Sequence, residues 1–220
     1  MNAKKPHGIK HPVVSIGMPT FNHDWCIKKA LDSLLSQTYS NFELIISDNC
    51  SDDNTKSLCE EYAKKHRRIR YFRQKRNLGA LKNFSFVLEK AQGKYFMWAA
   101  DDDLWNKKYI EKIMDEYTKS DSKEVGLIAT KWICINPKST SNNYNDDEQY
   151  SDSQDLTFSD FLKNAPYLAT YIYGMYKKTI LKKIGGFDKT PVFVSDLITI
   201  LHILSISKVI CPDIRVTSFN

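Results

Sequence analysis

No stretch of 18 apolar residues occurs in this sequence, so no segment has the length of a membrane-spanning helix. Residues 1–12 are polar and basic with no apolar core, which does not fit a secretory leader. They read as a flexible arm. The five cysteines (Cys26, Cys50, Cys59, Cys134, Cys211) contain no CxxC pair. That excludes a zinc ribbon, argues against a disulfide frame, and fits reduced thiols in a cytoplasmic protein. The histidines form no HExxH pair, and neither GxGxxG after the first strand nor GxxxxGK[ST] is present. A dinucleotide fingerprint and a P-loop are therefore both missing. There is no internal repeat.

What is present is ordinary in bulk and ordered in pattern. Apolar residues make up 42% of the 220 residues and charged residues 26%, which suits one well-buried soluble domain over residues 13–220. The net charge of +6 mildly favours anionic ligands or an anionic surface. Strand-like runs at 13–18, 42–47, 69–73 and 94–98 alternate with helical patterns. The first helix carries Ile27, Leu31, Leu34 and Leu35, with Asp24 as its expected N-cap. The second carries Leu58, Tyr62 and Ala63, has an acidic first turn, and has Ser51 or Asp52 as cap. The third carries Leu81, Phe84, Val87 and Leu88 and closes on Gly93 as the expected C′ residue. Such alternation predicts an α/β fold with a mostly parallel sheet and helices on both faces. Beyond it the pattern predicts a helix over 108–119, a strand over 125–133, and a long mobile polar loop over 136–155. A helix over 158–164, an apolar segment over 167–176, a short helix over 179–184 and a helix over 195–207 follow.

One junction concentrates charge. The apolar run Tyr95-Phe96-Met97-Trp98 leads through Ala99-Ala100 into Asp101-Asp102-Asp103. Adjacent carboxylates repel and raise one another's pKa unless a cation sits among them. Parallel sheets hold ligands at the carboxyl ends of their strands, and hard cations such as Mg2+ or Mn2+ take oxygen ligands. A divalent-metal site and a solvated acidic turn are both readings of the triplet alone. The loops 19–22 and 48–51 belong on the same rim, with Lys75, Arg76 and Lys82 near the third. A nucleoside diphosphate with a divalent metal would satisfy both signs of charge.

The order and spacing of several motifs then resemble a known family. Val14-Ser15-Ile16-Gly17-Met18-Pro19-Thr20-Phe21-Asn22, Leu35-Ser36-Gln37-Thr38-Tyr39, Phe42 to Asn49, Asn77-Leu78-Gly79 and Ala100 to Asp103 are similar to the family 2 inverting glycosyltransferases of the GT-A fold. Gly185-Gly186-Phe187-Asp188 and Ser195-Asp196 recur in similar positions. The resemblance implies a nucleotide-sugar-binding half over 13–105 and an acceptor-side half over 106–220. It implies donor contacts from Pro19, Thr20, Phe21, Asn22, Arg76, Asn77, Gly79 and Asn83. Asp48 and Asn49 would face the base, Asp101 the ribose, and Asp102 or Asp103 a Mn2+ or Mg2+ ion. Asn49 and Ala99 stand where many relatives carry Asp.

An inverting transfer needs a carboxylate to take the acceptor's proton. Asp196 is the first candidate by its position, with Asp188 second; an ordinary helix N-terminal acid is the plain alternative for Asp196. The resemblance further implies a UDP-linked donor and a saccharide or lipid-linked saccharide acceptor, as in surface polysaccharide or glycolipid assembly. No nucleic-acid partner is expected. The basic run 64–76 reads as a solvated helix end and edge strand or as a contact with anionic lipid at the inner membrane face. Trp98 is expected in the core and Trp105 beside the site. A nucleotidyltransferase, or a nucleotide-sugar-binding domain without transfer, are the competing functions; the first usually has a Gly-rich basic loop after its first strand.

Overall fold

Strand residues of alternating direction build two separate cores across one sheet. In β1 (Val14–Thr20), Val14, Ile16 and Met18 enter one core, with Leu44 and Ile46 of β2 (Phe42–Asp48) and Met97 of β4 (Tyr95–Trp98). Phe96 and Trp98 of β4 and Ile45 of β2 enter the other. This is the period-two consequence of a sheet buried on both faces. The first core is covered by α1 (Ile27–Leu35), α2 (Thr55–Lys65) and α4 (Tyr109–Lys119). The second is covered by α3 (Ala80–Lys90), α5 (Lys178–Lys183) and α6 (Ser195–Leu204). The computed structural model describes residues 9, 11–120, 124–129, 131–135, 154–155, 172–186, 195–212 and 215–219.

The main sheet has the order β3-β2-β1-β4-β9-β6-β10-β8. Here β3 is Ile69–Arg73, β6 Val125–Ile128, β8 Gln154–Asp155, β9 Met175–Lys177 and β10 Lys208–Cys211. The block β3-β2-β1-β4 is parallel throughout, as the alternation predicts. Its continuation is mixed. β9 runs antiparallel between β4 and β6, taking Met175 and Tyr176 from the end of the apolar segment 167–176. A second sheet joins β5 (Asp103–Leu104), β11 (Arg215–Phe219) and β7 (Lys131–Ile135). The single strand expected over 125–133 is therefore two strands, one in each sheet. The arm (residues 1–12) is described only at residues 9, 11 and 12, and the helix expected over 158–164 lies outside the described residues.

Two glycines permit close packing. A Cβ on Gly17 would lie 2.7 to 2.9 Å from Val87 and Phe96, so α3 can rest directly on β1 only with glycine there. Gly93 corrects an expectation. The C-cap of α3 is Ala91, whereas Gly93 is buried and its N–H donates to Ser15 Oγ at 2.8 Å. Its missing Cβ makes room for the β1 backbone. The helix starts are corrected as well. α1 begins after Cys26, and α2 begins after Asn54 with no acid in its first turn. Asp24 instead accepts the Asn54 N–H and donates its own N–H to Asp53, tying the loops after β1 and β2 together.

The basic run is partly structural. Arg68 sits 4.4 Å over the Phe42 ring and donates to the Leu35 carbonyl. Arg70 pairs with Glu43, a buried carboxylate that also accepts from Ser15 and the Gln92 N–H. Buried charge is tolerated because both carboxylate oxygens have donors. Lys64, Lys65, Arg67, Lys75 and Arg76 are exposed.

Candidate active site

The site forms where β1, β2 and β4 end. β1 delivers Pro19, Thr20, Phe21 and His23; β2 delivers Asn49; β4 delivers Ala100, Asp101 and Asp102. Together with Asn77, Gly79, Ala80, Asn83 and Phe84 around the start of α3, and Tyr173, they line a cavity of about 480 Å³. That volume lies in the usual range for small-molecule sites.

Loop-to-loop hydrogen bonds fix the rim. Asn22, in left-handed backbone at φ 57°, donates its N–H to Ser51 Oγ and accepts the Asp52 N–H; Asn tolerates this conformation. The His23 N–H donates to Thr55 Oγ1 at 3.0 Å. On the far side Asn49 donates to Asn77 Oδ1 and accepts the Leu78 N–H, while Asn77 Oδ1 also accepts the Gly79 N–H. Gly79, at φ 82°, then opens α3, a conformation that favours glycine. Asn83 exchanges two hydrogen bonds with Ser47, seating α3 on β2.

Nine of the residues expected at the donor site line the cavity: Pro19, Thr20, Phe21, Asn49, Asn77, Gly79, Asn83, Asp101 and Asp102. Three do not. Asn22 serves as a loop bracket. Arg76 is exposed outside the lining. Asp48 is fully buried, with Oδ1 accepting the Ser51 N–H at 2.7 Å and Oδ2 accepting from Tyr71 Oη at 2.8 Å and Arg73 Nη1 at 2.7 Å. Burial alone would raise its pKa, but these donors outweigh it and hold the carboxyl below the ordinary Asp range.

The Asp triplet divides, as it must when the chain leaves strand geometry. Asp101 and Asp102 face the cavity. Asp103 does not; it opens β5, pairs with β11 and is 5% exposed. Of the two acids expected at a metal, only Asp102 lines the cavity. Burial, with Asp102 and Asp101 beside it, pushes the Asp103 carboxyl up to about 7. Between the unfolded value near 4 and this value the folded chain holds a proton that the unfolded chain has lost. Stability therefore falls as pH rises through that window. The cost above it is on the order of 4 kcal/mol. Asp103→Asn is expected to raise the melting temperature at pH 8 in EDTA and leave it nearly unchanged at pH 4. A variant no more stable than wild type at pH 8 would refute this.

His23 also lines the cavity, though no motif in the sequence marks it. Its Nδ1 lies 2.7 Å from Asp101 Oδ1, with side chains 36% and 8% exposed respectively. Asp101 raises the imidazole's pKa, against a smaller opposing effect of burial. The contact is an ion pair by distance. Nδ1, Asp101 Oδ2 and Thr20 Oγ1 are buried and have no aligned hydrogen-bond partner among the described residues. Nothing in the loop 19–24 marks His23 by spacing; only the meeting of β1 and β4 does. Trp105, expected beside the site, is buried and packs edge-on against Tyr109 at 4.9 Å. Trp98 is wholly buried and donates from Nε1 to the Phe84 carbonyl. Asp196 is the second residue of α6, its side chain outside those described; Asp188 lies outside the described residues altogether.

Comparison with known proteins bears on the fold and the family. An uncharacterized glycosyltransferase of Rickettsia typhi is 31% identical over 201 residues, 90% of this chain and 60% of the relative. The chain thus spans less than two thirds of that protein. The UDP complex of TarS from S. aureus superposes with a TM-score of 0.75 at 19% identity, covering 94% of this chain and 60% of TarS. The mannosyltransferase PcManGT of Pyrobaculum calidifontis, solved with GDP-Man and Mn2+, superposes at 0.69 and 19% identity, covering 97% and 58%. These likenesses carry the GT-A fold. Residues 15–185 match the model of the glycosyl transferase family 2, and the chain belongs to that family.

Proposed function

We propose that this chain binds a nucleoside-diphosphate sugar, UDP-linked, in the cavity at the ends of β1, β2 and β4, and transfers the sugar with inversion to a saccharide hydroxyl. The observation that carries this is the pair of buried, unpartnered oxygens, Thr20 Oγ1 and Asp101 Oδ2, beside Asp102 in one cavity. Buried polar atoms without partners are costly, and a polyhydroxylated ligand satisfies both. The ligands of TarS and PcManGT support the same class of donor.

A divalent cation fits the residues present. Among the described residues no three His, Cys, Asp or Glu side chains gather as a cage. Mg2+, however, is held in such sites by one or two carboxylates plus substrate phosphates and water. Asp102, with Asp101 beside it, would hold the ion. Once bound, it would neutralise charge developing on the departing phosphate.

The chain's own residues would do the rest. Asp101 and Thr20 hold the nucleoside. Asp196 takes the proton from the acceptor hydroxyl as its oxygen attacks the anomeric carbon. The bond from that carbon to the phosphate oxygen breaks, and its electron pair leaves with the nucleoside diphosphate.

Two measurements test this. Incubation with nucleotide sugars and Mn2+ should release nucleoside diphosphate, UDP from UDP-sugars foremost. Asp102→Asn should lower UDP affinity in Mn2+ by at least about tenfold, the scale of a lost charge-assisted contact, and leave the weaker affinity in EDTA unchanged. Equal calorimetric affinities of variant and wild type in Mn2+ would remove Asp102 from the metal site.

A further inference from the structure

A diphosphate in this cavity would bring at least two negative charges next to Asp101 and Asp102. Among the described lining residues there is no Lys or Arg, and His23 is the sole basic side chain. Arg76, the expected phosphate neighbour, lies outside the lining, and Arg73 is committed to Asp48 and the Ser51 carbonyl. A bound metal offsets part of the repulsion; a charge-assisted donor from the protein would offset more.

His23 is built for that task. Its backbone is fixed to Thr55 on α2, and its ring is held at one end by Asp101. Trp25 packs edge-on against the ring, with centroids 6.0 Å apart. With Nδ1 engaged, the other nitrogen, Nε2, has no hydrogen-bond partner among the described residues, and the side chain stays one-third exposed at the cavity wall. A carboxylate against Nδ1 orients the ring, and in the imidazolium so held both nitrogens donate, which leaves Nε2–H for an anionic ligand.

We propose that His23 binds the diphosphate of the donor, donating from Nε2 to a phosphate oxygen while Asp101 fixes the ring through Nδ1. The assignment rests on the donor reading above and adds a residue to it. His23 thereby stabilises the leaving nucleoside diphosphate without forming or breaking a covalent bond itself.

The test is calorimetry on the full chain with uridine and with UDP, each in Mn2+ and in EDTA. His23→Leu should weaken UDP binding about 10- to 100-fold, the worth of one charge-assisted hydrogen bond, and change uridine binding less than about twofold. His23→Gln, whose amide nitrogen reaches the position of Nε2, should recover most of the UDP affinity. His23→Asn, which reproduces only the Nδ1 side, should not. Equal losses for uridine and UDP would mean that His23 acts only through Asp101 and would overturn the assignment. Rescue by Asn but not by Gln would overturn it too, as would unchanged UDP binding in the Leu variant. Wild-type protein that binds no nucleoside diphosphate, GDP included, would instead remove the donor reading and this assignment with it.

Discussion

Asp196→Asn is expected to bind UDP and Mn2+ as the wild type does and to lose sugar transfer by about 10²- to 10⁴-fold, the contribution of a positioned general base. The substitution is informative because of where α6 sits. Ile200 and Ile203 are fully buried in the second core, the cluster that also holds Leu127 and Tyr176, so the helix is anchored by its apolar residues. Asn preserves the volume of Asp and removes only its charge. If Asp196 serves only as a favourable acid in the first turn, the neutral variant loses no more than the few tenths to one kcal/mol of a dipole interaction, and turnover stays at the wild-type level. Turnover and UDP affinity measured on one preparation separate the outcomes. Loss of both would point to misfolding, unchanged turnover would remove Asp196 as the base, and loss of turnover alone supports it.

The parallel half of the fold was legible because each of its signals is local. Val14, Ile16 and Met18 of β1 and Phe96 and Trp98 of β4 can be read as parts of buried strands from apolar runs, and the helices from spacing. What the sequence could not show were features made by distant segments. β9 supplies three residues, Met175–Lys177, and its antiparallel insertion between β4 and β6 has no local mark. Asp24 looks like a helix cap until the loop after β2 is seen to claim it. The site divides the same way. Thr20, Asp101 and Asp102 could be placed on the rim from sequence because they end or follow strands in motifs with fixed spacing, and all three line the cavity. His23 carries no such mark, because its partner, Asp101, lies 78 positions away. Asp48 was expected at the base, but its Oδ1 is taken by the Ser51 N–H and its Oδ2 by Tyr71 and Arg73 of β3, a neighbour chosen by sheet order.

That arrangement makes Asp48 the residue whose loss should cost the fold most. Its carboxylate has no exposed surface, and removing one member of a buried, hydrogen-bonded charge set typically costs 3–5 kcal/mol. Asp48→Ala leaves the Ser51 N–H, Tyr71 Oη and part of the Arg73 guanidinium without their acceptor at once. We expect a loss of about 3–5 kcal/mol in urea-monitored stability at pH 7, with the loop that carries Asn49 and Ser51 loosened. Arg73→Ala should be milder, because Ser51 and Tyr71 remain on the carboxylate and the Arg73 side chain is already 31% exposed. The pH dependence has a definite sign. The folded-state pKa of Asp48 lies below its unfolded value, so its contribution is full above about pH 4 and is lost as pH falls through the depressed value. Asp48→Ala should therefore flatten the acid limb of the stability profile as well as lower its plateau. If Asp48 instead reads the nucleobase, Asp48→Asn would alter the preference between UDP and GDP with stability nearly unchanged. A large stability loss with an unaltered preference would assign Asp48 to the scaffold that holds Asn49 at the cavity wall.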